Sequence, residues 1–112
     1  MKPLFVPLKT EHFNAFFLGS KKKEFRKYGP RWNERTCIPG RDAVLAKGYG
    51  FPRLLGKVTR FEKVNGLNLP EHHDAIMGCY GTIDIDIAVI SIDLNGICVR
   101  MKLEELANEV VQ

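Results

Sequence analysis

Cysteine is scarce in this sequence, and long apolar runs are missing from it. The three cysteines, Cys37, Cys79 and Cys98, are odd in number and never spaced as CxxC. We therefore expect reduced thiols in a cytoplasmic protein, not a disulfide or zinc framework. No apolar run approaches the roughly 18 residues that a membrane-spanning helix needs. The N-terminus also lacks the apolar stretch and cleavage site of a signal peptide, so we expect no membrane partner.

Acidic residues are scarce in one part of the chain and basic residues in another. Residues 21–63 hold thirteen Lys or Arg against four Asp or Glu, a local charge of +9. Residues 71–112 hold two against eight, a local charge of −6. Such a split favours a surface that meets a polyanion, with nucleic acid the commonest candidate. Alternatively, the two segments face each other in the fold, or the acidic C-terminal segment binds a protein partner.

The length and composition predict one soluble globular domain, since the chain has 112 residues, of which 45% are hydrophobic and 27% charged. A short helix is predicted at residues 10–18, with Thr10 as its N-cap and Gly19 as a left-handed stop. Three phenylalanines recur at helical spacing and are expected to form one stripe in the core: Phe13, Phe16 and Phe17.

Alternating or continuous apolar residues predict further strands at residues 4–9, 42–48, 57–64 and 82–94. Period-two alternation places Val58 and Phe61 on opposite faces of their strand. The strand at 82–94 carries apolar side chains on both faces, as a strand at a covered sheet centre does. Pro70 is well placed to open a short helix that runs to about Met77.

Asn95-Gly96 predicts a hairpin turn, after which ICVRM, residues 97–101, would pair back antiparallel. A final amphipathic helix is predicted from apolar positions at Leu103, Leu106, Ala107 and Val110. Mixed strands, short helices and basic loops favour an α+β domain built on a curled sheet or small β-barrel.

The stretch LGSKKKEFRKY, residues 18–28, has no ordinary hydrophobic face. Read as a strand, it puts Lys22, Glu24, Arg26 and Tyr28 on one side. Three interpretations remain open for it: a solvated linker, a phosphate-binding strip, or a buried constellation of charges.

Four residues of this stretch, Gly19, Lys21, Glu24 and Arg26, match the pattern GxKxxExR, which resembles the signature of the ASCH domain, a branch of the PUA-like superfamily. The segments PGRDAVLAKG and KGYGFPRLLGKV are also similar to small stand-alone members from bacteria and their viruses. The resemblance covers roughly residues 4–94. It implies a single domain over residues 1–112, in which the hairpin and helix of residues 95–112 are an elaboration.

The resemblance further implies a PUA-like β-barrel in which Lys21, Glu24 and Arg26 project toward a cleft. Family members are linked to RNA or other nucleic acids. One group is an amidohydrolase that removes the acetyl group from acetylated cytidine, and others are reported to cleave RNA. The family therefore favours binding of RNA, a nucleotide or a modified base, with a small hydrolase as the alternative.

The residue types suit such a ligand. Arg26 presents a planar fork for a phosphate or base edge, Lys21 supplies a mobile charge, and Glu24 can accept from an exocyclic amine. The next-best candidates are Gly48, Gly50 and Arg53, since a glycine-rich loop lets backbone N–H groups approach an anion and Arg53 could clamp it. Three aromatics in basic loops could stack on bases: Trp32, Tyr49 and Phe51. The alternatives are an ion-pair network that braces the barrel, and Trp32 and Phe51 as loop anchors.

For catalysis, Lys21 and Glu24 are the candidate acid/base groups, because neighbouring cations favour the neutral amine of a lysine. The chain departs from the acetylcytidine hydrolases in having Glu24 where they have threonine. Glu62 or Glu71 could stand in for their separate acid. Adjacent His72 and His73 point about 100° apart on a helix and do not suit one metal ion, so we expect no metal and no cofactor.

Overall fold

The computed structural model describes residues 1–102, in which five strands and two short helices form an α+β fold. The elements are β1 (Leu4–Leu8), α1 (Thr10–Phe17), β2 (Lys23–Lys27), β3 (Asp42–Lys47), β4 (Arg53–Asn65), α2 (His73–Tyr80) and β5 (Asp86–Val99). Two 3-10 turns, Gly66–Asn68 and Pro70–His72, lead from β4 into α2. The predicted C-terminal helix, which begins at Leu103, lies outside the described residues. Within them, neither helix has the length and apolar character needed to cross a bilayer.

All five strands belong to one mixed sheet with the order β1-β3-β4-β5-β2. β1 and β3 are parallel, and every other neighbouring pair is antiparallel. Within residues 1–102 no backbone ladder joins β1 to β2, so these two strands are the edges of an open sheet. The predicted α+β class is confirmed, whereas closure into a β-barrel is not.

The sheet is covered on both faces. The larger cluster, called the main core below, contains Ala88, Ile90 and Ile92 of β5, whereas a smaller cluster contains Ile87 and Val89. Helix α1 covers the main core through Phe13 and Phe16, and α2 covers the smaller cluster through Ile76. The prediction that β5 carries apolar side chains on both faces is confirmed, because β5 lies between β4 and β2 with a helix on either side.

Helix α1 departs from its prediction in two details. Lys9 is the N-cap, in an extended conformation with no side-chain cap bond, so Thr10 is the first helical residue. Phe17 is 59% exposed, because it lies about 100° around the helix from the buried Phe16 and at the last helical residue. The left-handed stop is confirmed, with Gly19 at φ 81°.

Strand β4 contains a bulge that reverses its alternation. Val58 pairs with Ile92 while Arg60 pairs with Ser91, so two residues of β4 span one step of β5. Val58 consequently lies in the main core, and the partly buried Phe61 packs against the same core. Their predicted placement on opposite faces is wrong, because period-two counting assumes an unbroken ladder.

The predicted hairpin at Asn95-Gly96 is also wrong, since β5 continues through it to Val99. Cys98 pairs with Leu54 of β4, so residues 97–99 extend the strand and do not turn back. Gly96 has φ 83°, and the Asn95 side chain accepts a hydrogen bond from the Ile97 N–H. A left-handed glycine serves an irregularity within a strand as well as a hairpin turn, so the dipeptide alone does not distinguish them.

Candidate functional site

A cleft of about 1030 Å³ opens between the two edges of the sheet. Residues 7–12, at the end of β1 and the start of α1, form one side together with the loop after β3. The 3-10 turn at Pro70–His72 and helix α2 contribute to the other side. Residues 19–26 form the floor. The GxKxxExR segment is therefore the part of the chain on which these surrounding elements converge.

The floor takes its shape from the turn after α1 and from strand β2. Ser20 and Lys21 both donate backbone N–H groups to the carbonyl of Ala15, so the chain folds back along the helix before β2 begins. In β2, Glu24 lies opposite Ile90 of β5, on the main-core face, and Phe25 faces the smaller cluster. Strand alternation thus gives the floor a charged side and an apolar side.

Glu24 is the centre of the charged side, and only 5% of the residue is exposed. Its Oε1 accepts a hydrogen bond of 2.8 Å from Nζ of Lys21. Its Oε2 accepts one of 2.8 Å from Nε of Arg26 and lies 2.7 Å from Nη2 of the same residue. A carboxylate this deeply buried is tolerated because two cations neutralise it and hydrogen-bond to it.

Arg26 connects the floor to the opposite edge of the sheet. Its Nη2 also donates to the carbonyl of Pro7 in β1. Its guanidinium lies 4.8 Å from the ring centroid of Trp32, which is 8% exposed and belongs to the main core. Trp32 does not line the cleft, so the structure places it as a support for Arg26 and not as an exposed stacking surface.

Lys21 contacts a residue that the sequence analysis did not select. Its Nζ lies 3.1 Å from Nδ1 of His12 in α1, and 5.6 Å from the ring centroid of Phe16. His12 is exposed and lines the cleft. The sequence feature that could have indicated this contact is the glycine stop at Gly19, because it turns the following residues back toward α1.

Of the remaining predicted residues in and after the loop that follows β3, some line the cleft and others do not. Tyr49 lines the cleft and is 75% exposed, as a stacking residue must be. Arg53 lies away from the cleft lining: it donates to the carbonyls of Gly50 and Tyr49 and stacks on Phe51 at 4.3 Å. These contacts make Arg53 and Phe51 anchors of the loop, and they engage two of the three guanidinium nitrogens that were expected to clamp an anion.

The cleft carries positive charge next to apolar surface. Five of its lining residues are basic, namely Lys9, Lys21, Lys22, Lys23 and Arg26, and Glu24 is its one lining carboxylate among the described residues. Phe25, Ile76 and Ile87 supply the apolar part. The ring of His72 lies 4.4 Å from that of Phe25. An anion attached to a flat apolar group would match both parts of this surface.

The acidic candidates for catalysis lie elsewhere. Glu62 pairs with Arg60 on β4, and Glu71 lies 3.8 Å from His72, but neither carboxylate lines the cleft.

Tyr28 donates a hydrogen bond to Glu34, which raises the pKa of the tyrosine and lowers that of the glutamate. Within residues 1–102, no three His, Cys, Asp or Glu side chains form a cluster that could hold a metal ion.

The cysteines provide a probe of the cleft. Cys79 is exposed and lines it, whereas Cys37 is fully buried, and burial raises the pKa of the Cys37 thiol. We expect iodoacetamide at pH 8 to modify Cys37 about 100-fold more slowly than Cys79, because the thiolate is the reactive form and a buried thiol reacts only after opening. Peptide mass spectrometry gives both rates. Equal rates in the folded protein would contradict the burial of Cys37.

Among known proteins, no family model matches the chain, and no curated protein shows significant similarity to it.

Proposed function

We propose that this chain is an ASCH-like domain of the PUA-like superfamily and that its cleft binds RNA, a nucleotide or a modified base. The observation that carries the proposal is the buried Glu24, which holds Lys21 and Arg26 side by side at the floor of a basic cleft. The exposed ring of Tyr49 at the edge of the same cleft is available to stack on a base.

Energetics favours a binding role over a purely structural one for this array. Well-packed apolar side chains stabilise a protein as much as a buried ion pair does, or more. The two cations are also not sealed off, because the side chains of Lys21 and Arg26 are 18% and 24% exposed at the cleft. Partly exposed, fixed cations suit the recognition of an anionic ligand better than they suit stabilisation of the fold.

The open sheet is compatible with a PUA-like, barrel-like curl. Arg26 of β2 reaches the backbone of Pro7 in β1, so a side chain spans the gap between the two edge strands. The cleft lies along this gap. In this proposal the gap gives the ligand access to the floor.

A small hydrolase is the second candidate, because Lys21 contacts both Glu24 and His12 within the cleft. Such a cluster contains groups able to move a proton. Binding remains the first proposal, since an ammonium that donates to Glu24 has no lone pair available to act as a base. Incubation with N4-acetylcytidine and with RNA, followed by chromatography, tests hydrolysis; product formation that Lys21→Ala abolishes would establish it, and inert protein would exclude these two substrates.

Binding of RNA is expected to weaken steeply with salt, because each phosphate contacted contributes about −0.7 to the slope of log affinity against log salt for a single strand. The double variant Lys22→Ala/Lys23→Ala should lower the magnitude of this slope by about 1.4, since both lysines line the cleft. Fluorescence anisotropy with a labelled single-stranded RNA measures it.

The matched control is Lys57→Ala/Arg60→Ala, which removes the same charge from exposed positions of β4 outside the cleft. It should leave the slope nearly unchanged. Equal losses in both double variants would show that binding follows the net charge of the protein and not the cleft, which would contradict the proposal.

A further inference from the structure

Glu24 has little capacity left to accept a hydrogen bond from a ligand. A carboxylate has about four lone-pair sites. Nζ of Lys21 and Nε of Arg26 already donate hydrogen bonds to this one, and Nη2 of Arg26 lies 2.7 Å from Oε2. The Glu24 side chain is only 6% exposed, so a ligand has almost no access to its oxygens.

The two cations, in contrast, line the cleft and retain unused donors. The ammonium of Lys21 has three N–H groups, of which Glu24 and His12 take two. Arg26 has five, and within residues 1–102 no protein acceptor is hydrogen-bonded to its Nη1. On its charged side, the floor therefore presents N–H donors and hardly any acceptor.

We propose that the floor of the cleft recognises a hydrogen-bond acceptor, an oxyanion or carbonyl oxygen held between Lys21 and Arg26, and that Glu24 positions both cations without touching the ligand. This inference deepens the proposed function and rests on the cleft being a ligand site. It replaces the expectation that Glu24 reads an exocyclic amine. The acceptor can belong to a phosphate or to a base carbonyl, which offer the same chemistry to the two donors.

The adjoining surface defines the rest of the ligand. Phe25 and Ile87 line the same cleft from the other face of the sheet, and Ile76 of α2 packs against them. Apolar surface next to fixed donors accommodates a flat ring that carries its acceptor at one edge. An aromatic carboxylate is the simplest probe with both features.

The test compares benzoate, benzamide and benzamidine, which share a ring and differ in the acceptors and donors that they offer. In titrations of the ¹⁵N-labelled full chain followed by NMR, benzoate should bind at least tenfold more tightly than benzamidine, with benzamide between them. Benzoate should shift the signals of residues 21–26 and of the Arg26 Nε–H. Equal or tighter binding of benzamidine at the floor would overturn the proposal. So would no response to benzoate at about 10 mM, which nearly saturates a site with a Kd of about 1 mM.

Two variants separate contact from positioning. Lys21→Met keeps most of the stem but removes the donor, and should weaken benzoate binding about tenfold; Lys57→Met, at an exposed site of β4 outside the cleft, should not. Glu24→Gln should weaken benzoate binding and move the Arg26 Nε–H signal, because Lys21 and Arg26 lose the carboxylate charge that holds their side chains in place. Tighter benzoate binding in Glu24→Gln would show that the carboxylate repels the ligand directly, which contradicts a positioning role.

The outcome is distinguishable from that of the proposed function. Uridine and uridine monophosphate, titrated in the same way, separate a base carbonyl from a phosphate as the source of the acceptor. If benzoate binds at the floor but RNA and both uridine compounds do not, the nucleic-acid function fails and the acceptor specificity stands. If RNA binds in the cleft while benzamidine displaces benzoate, the function stands and the acceptor specificity fails.

Discussion

Replacing Glu24 with alanine is expected to lower the free energy of unfolding by about 3 kcal/mol, the lower end of the range for removing one partner of a buried ion pair. The change leaves Lys21 and Arg26 close together without their shared counter-charge. It also removes the two hydrogen bonds that hold their side chains in place. The lower end applies because both cations are partly exposed at the cleft and can regain some hydration. Urea denaturation followed by circular dichroism measures the loss.

Glu62→Ala is the matched control, since Glu62 forms an ion pair with the exposed Arg60 on β4, outside the cleft lining. A surface pair of this kind contributes less than about 1 kcal/mol. A second variant, in which Lys21, Glu24 and Arg26 all become leucine or methionine, should recover most of the stability lost in Glu24→Ala. Equal effects of Glu24→Ala and Glu62→Ala would contradict the tight, desolvated array described above.

If the triple apolar variant is stable while ligand binding is lost, the three charged residues are needed for binding in the cleft and not for the stability of the fold. A wholly structural network would show the opposite pattern, with stability falling and binding of RNA unchanged. Stability and affinity measured on the same three variants therefore address the question raised by a strand that has no ordinary hydrophobic face.

Much of the fold was predictable because its signals are local. The apolar residues of β5 on both faces and the glycine stop at Gly19 were each read correctly from a few neighbouring residues. The errors in the strands came from features that depend on a partner strand. The bulge near Val58 and the continuation of β5 past Asn95 are set by pairing between β4 and β5, and no periodicity within one strand reveals them.

In the candidate site, too, contacts between residues close in sequence were predictable and contacts between distant residues were not. Lys21, Glu24 and Arg26 lie within six residues of one another on or just before a strand, so their proximity follows from strand geometry. His12 and Pro7 join them only because α1 lies against the turn before β2 and Arg26 reaches across to β1, and both contacts link residues far apart in the sequence. Arg53 was selected for its place beside a glycine-rich loop, and the structure shows that Nε and Nη2 of its guanidinium donate to carbonyls of that loop.

Arg26→Lys should be far from conservative, although it preserves the charge. Lysine cannot reproduce the fork that contacts Glu24 and Pro7 together, nor the planar stack on Trp32. Hydrogen bonds to charged groups contribute about 1.5–3 kcal/mol each, so we expect a local loss of about 2 kcal/mol. In native-state hydrogen exchange this corresponds to protection about 30-fold lower for the amides of β2, the strand that depends on this link.

Arg53→Lys is the matched control, because Arg53 also stacks on an aromatic ring and donates to backbone carbonyls but joins no two edge strands. Its effect should be confined to the loop after β3. Since Arg26→Lys keeps the charge of the cleft, the salt dependence of RNA binding should persist while the affinity falls, which separates geometry from charge at the floor. Unchanged protection of β2 in Arg26→Lys would show that the edges of the sheet do not rely on Arg26. The cleft between them would then have to be held open by α1 and α2 alone.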